Sequence, residues 1–178
     1  MTALQMLRIA AWKSARGLAS LTLNDEDSIR LRTANAMDAI RPWRSTDVLR
    51  DPVDWAAWRE AVARAVGWKQ RQTGLLALDG VGYPMASAFL ALLAPAAFPV
   101  IDRSAVHGVY GSPIGNYQTS LAYTDFARAL AARGEYFPSA RTIHELDQAV
   151  MTAAMNCSHH RRPCECLPFD QADFPTTV

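Results

Sequence analysis

From Gly80 to Ile101 the chain runs for 22 residues without an aspartate, glutamate, lysine or arginine. An apolar run of that length has two destinations, a bilayer or a protein interior. Proline decides between them. Pro84 suits the first turn of a helix, whereas Pro95 and Pro99 break the run into a helix of about ten residues and a loop, too short to cross ~30 Å of hydrocarbon. The run therefore predicts a helix buried in a protein core, and the 50% hydrophobic content of these 178 residues supplies the rest of that core. No membrane partner is expected. One compact domain, or two small lobes sharing an interior, is the expected scale.

Elsewhere the apolar spacing is helical throughout. Leu4, Leu7, Ala10 and Ala11 mark a helix over residues 2–17, ended by Gly17 or by the Ser20 to Asn24 stretch. Ile29, Leu31, Ala34, Met37 and Ile40 mark a second that stops at Pro42. Asp51 as cap, Pro52 at the first helical position and Asp54 in the first turn predict the start of a third, in which Trp55, Trp58, Val62 and Ala65 share a face and Gly67 closes. Trp68 to Leu78 and Tyr83 or Pro84 to Leu93 read as a helix pair. Asp102 opens a short helix through Val109, and Leu121 to Arg133 forms another. The last, to about Met155, starts at the capping pattern Thr142-Ile143-His144-Glu145. No segment alternates with period two, so the expected fold class is all-α. Residues 1–156 read as one domain, and 157–178 as an irregular tail rich in cysteine and proline.

The N-terminus, with Arg8, Lys13 and Arg16 dispersed along it, does not have the form of a signal peptide. The three cysteines, Cys157, Cys164 and Cys166, do not make a disulfide framework, and a cytoplasmic location is expected. A net charge of +1 excludes a global field that would draw the chain onto a polyanion, so contact with nucleic acid has to rest on local charge.

Between the paired helices lies Asp79-Gly80-Val81-Gly82. Its glycines allow positive φ and leave amides uncovered, while Val81 can plug into the core. Bare amides at the start of a helix make a donor site for an anion such as phosphate. The glycines have a plain reading too, as turn residues.

The pattern Leu78-x-Gly80-Val81-Gly82-x-x-x-Ala86, followed about twenty residues later by Pro99-Val100-Ile101-Asp102, resembles the helix-hairpin-helix DNA glycosylases, the group that includes endonuclease III-like and adenine-mismatch enzymes. The likeness covers residues 53–110 well and the remainder loosely. It implies a two-lobed helical domain with residues 68–93 as the helix-hairpin-helix at the junction, DNA as partner, and a nucleoid-associated protein of base excision repair. In such proteins the aspartate matching Asp102 stabilises charge on the sugar as the N-glycosidic bond breaks, or activates water. An aspartate there is also an ordinary helix cap, and the two roles are compatible. Gly80, Val81 and Gly82 would dock a phosphate, with Lys69, Arg71 and Arg103 widening the positive patch unless they are merely solvated charges.

Members of the family that also cut the strand carry a lysine where this chain has Pro84, so the resemblance implies a monofunctional hydrolase. Asp79, where many members have proline, sits beside the phosphate site. Trp55, Trp58 and Tyr110 are candidates for the base pocket, although tryptophans at i, i+3 equally build a core. Lys13 is not singled out. Many endonuclease III-like proteins end in a four-cysteine iron–sulfur loop. Cys157 and Cys164 keep the spacing of its first two cysteines, but Cys166 comes one residue early and no fourth follows. With His159 or His160 as a further ligand the tail could hold zinc; otherwise it is a vestige, and no cofactor is expected. A DNA-binding module without turnover, and a helical protein docking another protein, are the remaining readings.

Overall fold

The structure, a computed structural model, describes residues 3–13, 15–67, 73–111 and 118–156. The fold is all-α. Its helices are α1 (Ala3–Lys13), α2 (Ala15–Leu21), α3 (Glu26–Ala39), α4 (Trp55–Val66), α5 (Tyr83–Leu93), α6 (Arg103–Tyr110), α7 (Ser120–Ala131) and α8 (Ile143–Asn156). Short 3₁₀ turns occupy Arg41–Trp43, Gly74–Ala77 and Gly134–Tyr136, and no strand occurs among the described residues.

The uncharged run forms α5 and the loop after it. Every α5 residue from Met85 to Ala91 is buried, so this central stretch has no solvent face to which charge could be assigned; Leu92, in the last turn, is exposed. Met85, Phe89, Leu90, Phe98, Ile101 and Val106 join Trp58, Tyr123, Phe126 and Leu146 in one core. No helix among the described residues is long and apolar enough to cross a membrane.

Four local expectations are narrowed or changed. Of the two ends offered for the N-terminal helical stretch the later one holds: α2 passes Gly17 and stops at Leu21, and residue 14, between α1 and α2, lies outside the described residues. On α3 the buried stripe is Ile29, Thr33 and Ala36, while Leu31 is exposed. Thr33 can be buried because its hydroxyl donates to the Ile29 carbonyl at 2.8 Å. The α4 cap is Asp54, whose carboxylate accepts the Ala56 and Ala57 amides. Asp51 closes the preceding turn instead, accepting the Asp47 amide at 2.8 Å. Starting α4 at Trp55 places Trp58, Val62 and Ala65 on the core face, so either aspartate agrees with the periodicity and the local turn decides.

The fourth change concerns the helix expected over 68–78. Thr73 is extended and Gly74–Ala77 is a 3₁₀ turn, so no continuous α-helix precedes the hairpin; residues 68–72 lie outside the described set. Two glycines explain the local path. Gly67 (φ 79°) and Gly74 (φ 59°) bring the ends of this segment into backbone contact, and a Cβ on Gly67 would lie 1.9 Å from the Thr73 carbonyl oxygen. Only glycine permits both the dihedral and the approach.

Downstream, α6 lies against α8, where a Cβ at Gly108 would meet Val150 Cγ1 at 2.7 Å. That close crossing anchors the helix whose N-terminus is Asp102.

Candidate functional site

The Asp79–Gly82 hairpin is seated on the N-terminal helices. Gly80 has φ 80°, and a Cβ there would lie 2.6 Å from the Gly17 carbonyl oxygen and 2.7 Å from Ser20 Cβ. Glycine is required at 80 by the protein's own packing. Asn24 then clamps the preceding peptide: its Oδ1 accepts the Asp79 amide at 2.9 Å and its Nδ2 donates to the Asp79 carbonyl at 3.2 Å. Val81 is buried and its amide returns to the Leu78 carbonyl.

Gly82 is different. Its φ is −104°, and a Cβ there would touch only Pro84 Cδ at an ordinary 3.7 Å. Among the described residues nothing demands glycine at 82. It is the N-cap of α5, no side chain caps that end, and Pro84 brings no amide to it. The Met85 and Ala86 amides return to the Gly82 carbonyl at 3.1 and 2.9 Å, which leaves at most the Gly82 and Tyr83 amides of this N-terminus without an intrahelical partner.

Asp102 is the N-cap of α6. Its Oδ1 accepts the Ser104 amide at 3.0 Å and the Ala105 amide at 2.9 Å. Its Oδ2 accepts from the Lys13 ammonium at 2.7 Å. The Asp102 side chain is 22% exposed and that of Lys13 18%, so the pair is half-buried. Cap and ion pair together hold both carboxylate oxygens in direction. Lys13 also balances much of the carboxylate's charge. Arg103 follows, exposed. Lys69 and Arg71 lie outside the described residues.

Lys13 comes from α1, and the close contact at Gly80 from Gly17 and Ser20 of α2, so both N-terminal helices touch a predicted feature. No spacing in the sequence connects residue 13 with residue 102. The one available signal is a lysine in the last turn of a helix, where cations also favour the helix C-terminus for a local reason.

The loop into Asp102 is held along its length. Pro95 O accepts from the His144 amide, Ala96 O from the Val48 amide and Ala97 O from Trp58 Nε1 at 3.0 Å. Tyr123 Oη donates to Pro99 O at 2.5 Å, Asp147 accepts the Val100 amide at 2.5 Å, and Ser87 Oγ accepts the Ile101 amide at 3.0 Å. Burial pushes the Asp147 carboxyl above its ordinary 3.8. Its hydrogen bonds to His144 and the Val100 amide and the His144 charge oppose the rise, and the charge of Asp102 adds to it. Burial also drives the Tyr123 hydroxyl well above its usual 10.0. Asp147 was legible in principle, since it lies on the stripe of Ile143, Leu146 and Val150, where an acid is out of place.

Of the aromatic candidates, Trp58 is fully buried. Its ring centroid stands 5.3 Å from Phe98 and 5.2 Å from Tyr123, its indole N–H is committed to the loop, and it cannot stack on a base without opening the core. Trp55 is half-buried against it at 5.7 Å. Tyr110 is half-buried at the end of α6, its hydroxyl pushed up to about 12 by burial, reinforced by Asp125 and opposed by Arg133. An open cavity of about 410 Å³ lies elsewhere, lined by Asn35, Asp38, Ala39, Pro42 and Arg64, none of them a predicted site residue. Among the described residues no cluster of three His, Cys, Asp or Glu side chains is arranged for a metal; Cys157, His159, His160, Cys164 and Cys166 fall outside those residues.

Comparison with protein-family models, with curated proteins and with solved structures returns no match for this chain.

Proposed function

We propose that this chain acts on DNA as a monofunctional base-excision glycosylase of the helix-hairpin-helix type, a two-lobed helical domain with the hairpin at the lobe junction. The supporting observation is the Asp102 carboxylate, held by two amides and Lys13 and still partly exposed. Gly82 and the uncapped start of α5 bind a backbone phosphate, a contact that places DNA without reading its sequence. The target nucleotide leaves the stack, because its glycosidic bond is inaccessible inside it.

In the reaction the C1′–N bond breaks and its electron pair leaves with the base. Positive charge spreads over C1′ and the ring oxygen opposite Asp102, water adds to C1′, and its proton passes to the carboxylate or the departing base. The products are a free base and an intact abasic sugar. Pro84 has no amine with which to continue to strand scission.

A second reading, a DNA-binding module without turnover, is favoured by two specific observations. Lys13 balances the charge of Asp102, and Trp58 fills the core instead of a base pocket.

One assay separates the readings. Wild type and Asp102→Asn are incubated with duplexes carrying a panel of lesions and mismatches, then heated in alkali to reveal abasic sites. Cleavage by the wild type alone is expected. Retention of duplex by both proteins with no cleavage by either replaces the enzyme reading with the module. Borohydride added to a duplex with a preformed abasic site should trap no covalent adduct; an adduct lost in Lys13→Ala would make this a strand-cutting enzyme with its amine on α1.

A further inference from the structure

Three consecutive residues before Asp102 each meet a buried polar side chain from a different helix. Tyr123 on α7 reaches Pro99, Asp147 on α8 reaches Val100, and Ser87 on α5 reaches Ile101. Exposures of 0%, 3% and 0% place all three in the interior. A buried loop has to find partners for its backbone groups, so some bonding is expected whatever the loop does. The chemistry chosen exceeds that need. One N–H is satisfied by a hydroxyl or an amide, yet Val100 is held by a carboxylate, the side chain that costs most to desolvate. His144 supports that carboxylate through Nδ1 at 3.2 Å, and its own backbone amide binds the loop again at Pro95.

A fully satisfied buried network of this kind costs stability relative to apolar packing and gives one defined position in return. What it positions is the residue immediately after it. With Pro99, Val100 and Ile101 fixed to α7, α8 and α5, the Cα of Asp102 has no freedom to drift before its side chain caps α6 and meets Lys13.

We infer that Tyr123, Asp147 and Ser87 are positioning residues that set the direction of the Asp102 carboxylate, and with it the rate of the step that carboxylate performs. The inference rests on the glycosylase reading for its effect on rate, and on geometry alone for its effect on Asp102.

The variants are Tyr123→Phe, Asp147→Asn and Asp147→Ala, studied as full-length protein well below their unfolding temperatures. On a cleavable duplex, kcat for abasic-site formation should fall about tenfold to a hundredfold while KM stays within about twofold, since misplacing a reacting group by about 1 Å costs that much. Asp147→Asn, which keeps an acceptor for Val100, should retain more activity than Asp147→Ala. In parallel, the carboxyl carbon resonance of Asp102 should shift, and the Ser104 and Ala105 amides should exchange faster in Tyr123→Phe than in wild type.

Reduced stability with kcat and the Asp102 resonance both unchanged would overturn the inference. If the wild type releases no base from any duplex, the glycosylase reading fails, and the positioning role is then decided by the resonance and amide exchange alone. An unchanged Asp102 in folded Tyr123→Phe would end it.

Discussion

Two helix N-termini in this molecule solve the same electrostatic problem in opposite ways. The start of α5 has Gly82 as its cap residue, no capping side chain and a proline in its first turn. The start of α6 fills its free amides with its own Asp102 carboxylate. Every helix N-terminus carries unsatisfied donors and partial positive charge. At α5 no side chain fills them, and the Met85 and Ala86 amides turn back to the Gly82 carbonyl; at α6 they are spent on an internal anion, which is thereby held in place. The contrast assigns the roles in the proposed reaction, phosphate contact to one end and a negative charge facing the sugar to the other. It also separates the hairpin's two glycines. Gly80 is required by α2, whereas no described neighbour requires Gly82.

The most severe way to break the contrast is to make α6 start as α5 does. Asp102→Gly should lower base release by about a hundredfold or more, as loss of a preorganised charge does. Denaturant titration should show a cost of only a few tenths of a kcal/mol from the lost cap, because glycine is itself well tolerated at that position. A carboxylate acting only as a cap would give the second result without the first.

Next in size is Gly80→Ala, which introduces both a strained dihedral and a Cβ within 2.6 Å of the Gly17 carbonyl. It should destabilise by roughly 2–3 kcal/mol. Gly82→Ala at the same hairpin should stay within about 0.5 kcal/mol of wild type, because ordinary surface changes do.

The converse swap, Gly82→Asp, makes α5 start as α6 does. It should raise stability by about 0.5 kcal/mol through the new cap and lower DNA affinity about tenfold by placing a carboxylate where the phosphate binds. Fluorescence anisotropy on a labelled duplex at fixed salt measures the second effect. Unchanged affinity would remove the hairpin from the DNA interface.

The loop joining the two ends has a pH signature. The Asp147 carboxyl is raised by burial, so the folded protein holds that proton more tightly than the unfolded chain does. The sign follows directly: as pH rises from 3.8 through the raised folded value, this group withdraws stability, and above that value its full penalty is present. Asp147→Asn should flatten that part of a stability–pH profile measured by denaturant titration.

The smallest effect belongs to Lys13→Met, which removes the cation from the half-buried pair at Asp102. It should cost about 1 kcal/mol or less, with added salt narrowing the difference between variant and wild type.

The helices at 83–93, 103–110, 120–131 and 143–156 were readable from periodicity, caps and prolines, because those signals act within a few residues of where they stand. Asp102 as a helix cap was readable for the same reason. The boundaries that moved, at Asp51 and over 73–78, are places where two local signals of similar strength compete or where a glycine pair serves a backbone approach from elsewhere in the fold.

By itself, then, the sequence determined an all-α chain, a central helix with no charged face, a glycine bend and an aspartate at a helix start. Only the tertiary structure could decide that Asn24 clamps the bend, that Lys13 shares the Asp102 carboxylate across 89 positions, and that Trp58, Tyr123 and Asp147 hold the loop between bend and aspartate. Caps and helical stripes are set by neighbours a turn away, whereas a salt bridge or a buried hydrogen bond depends on which surfaces the whole chain brings together. No periodicity records that.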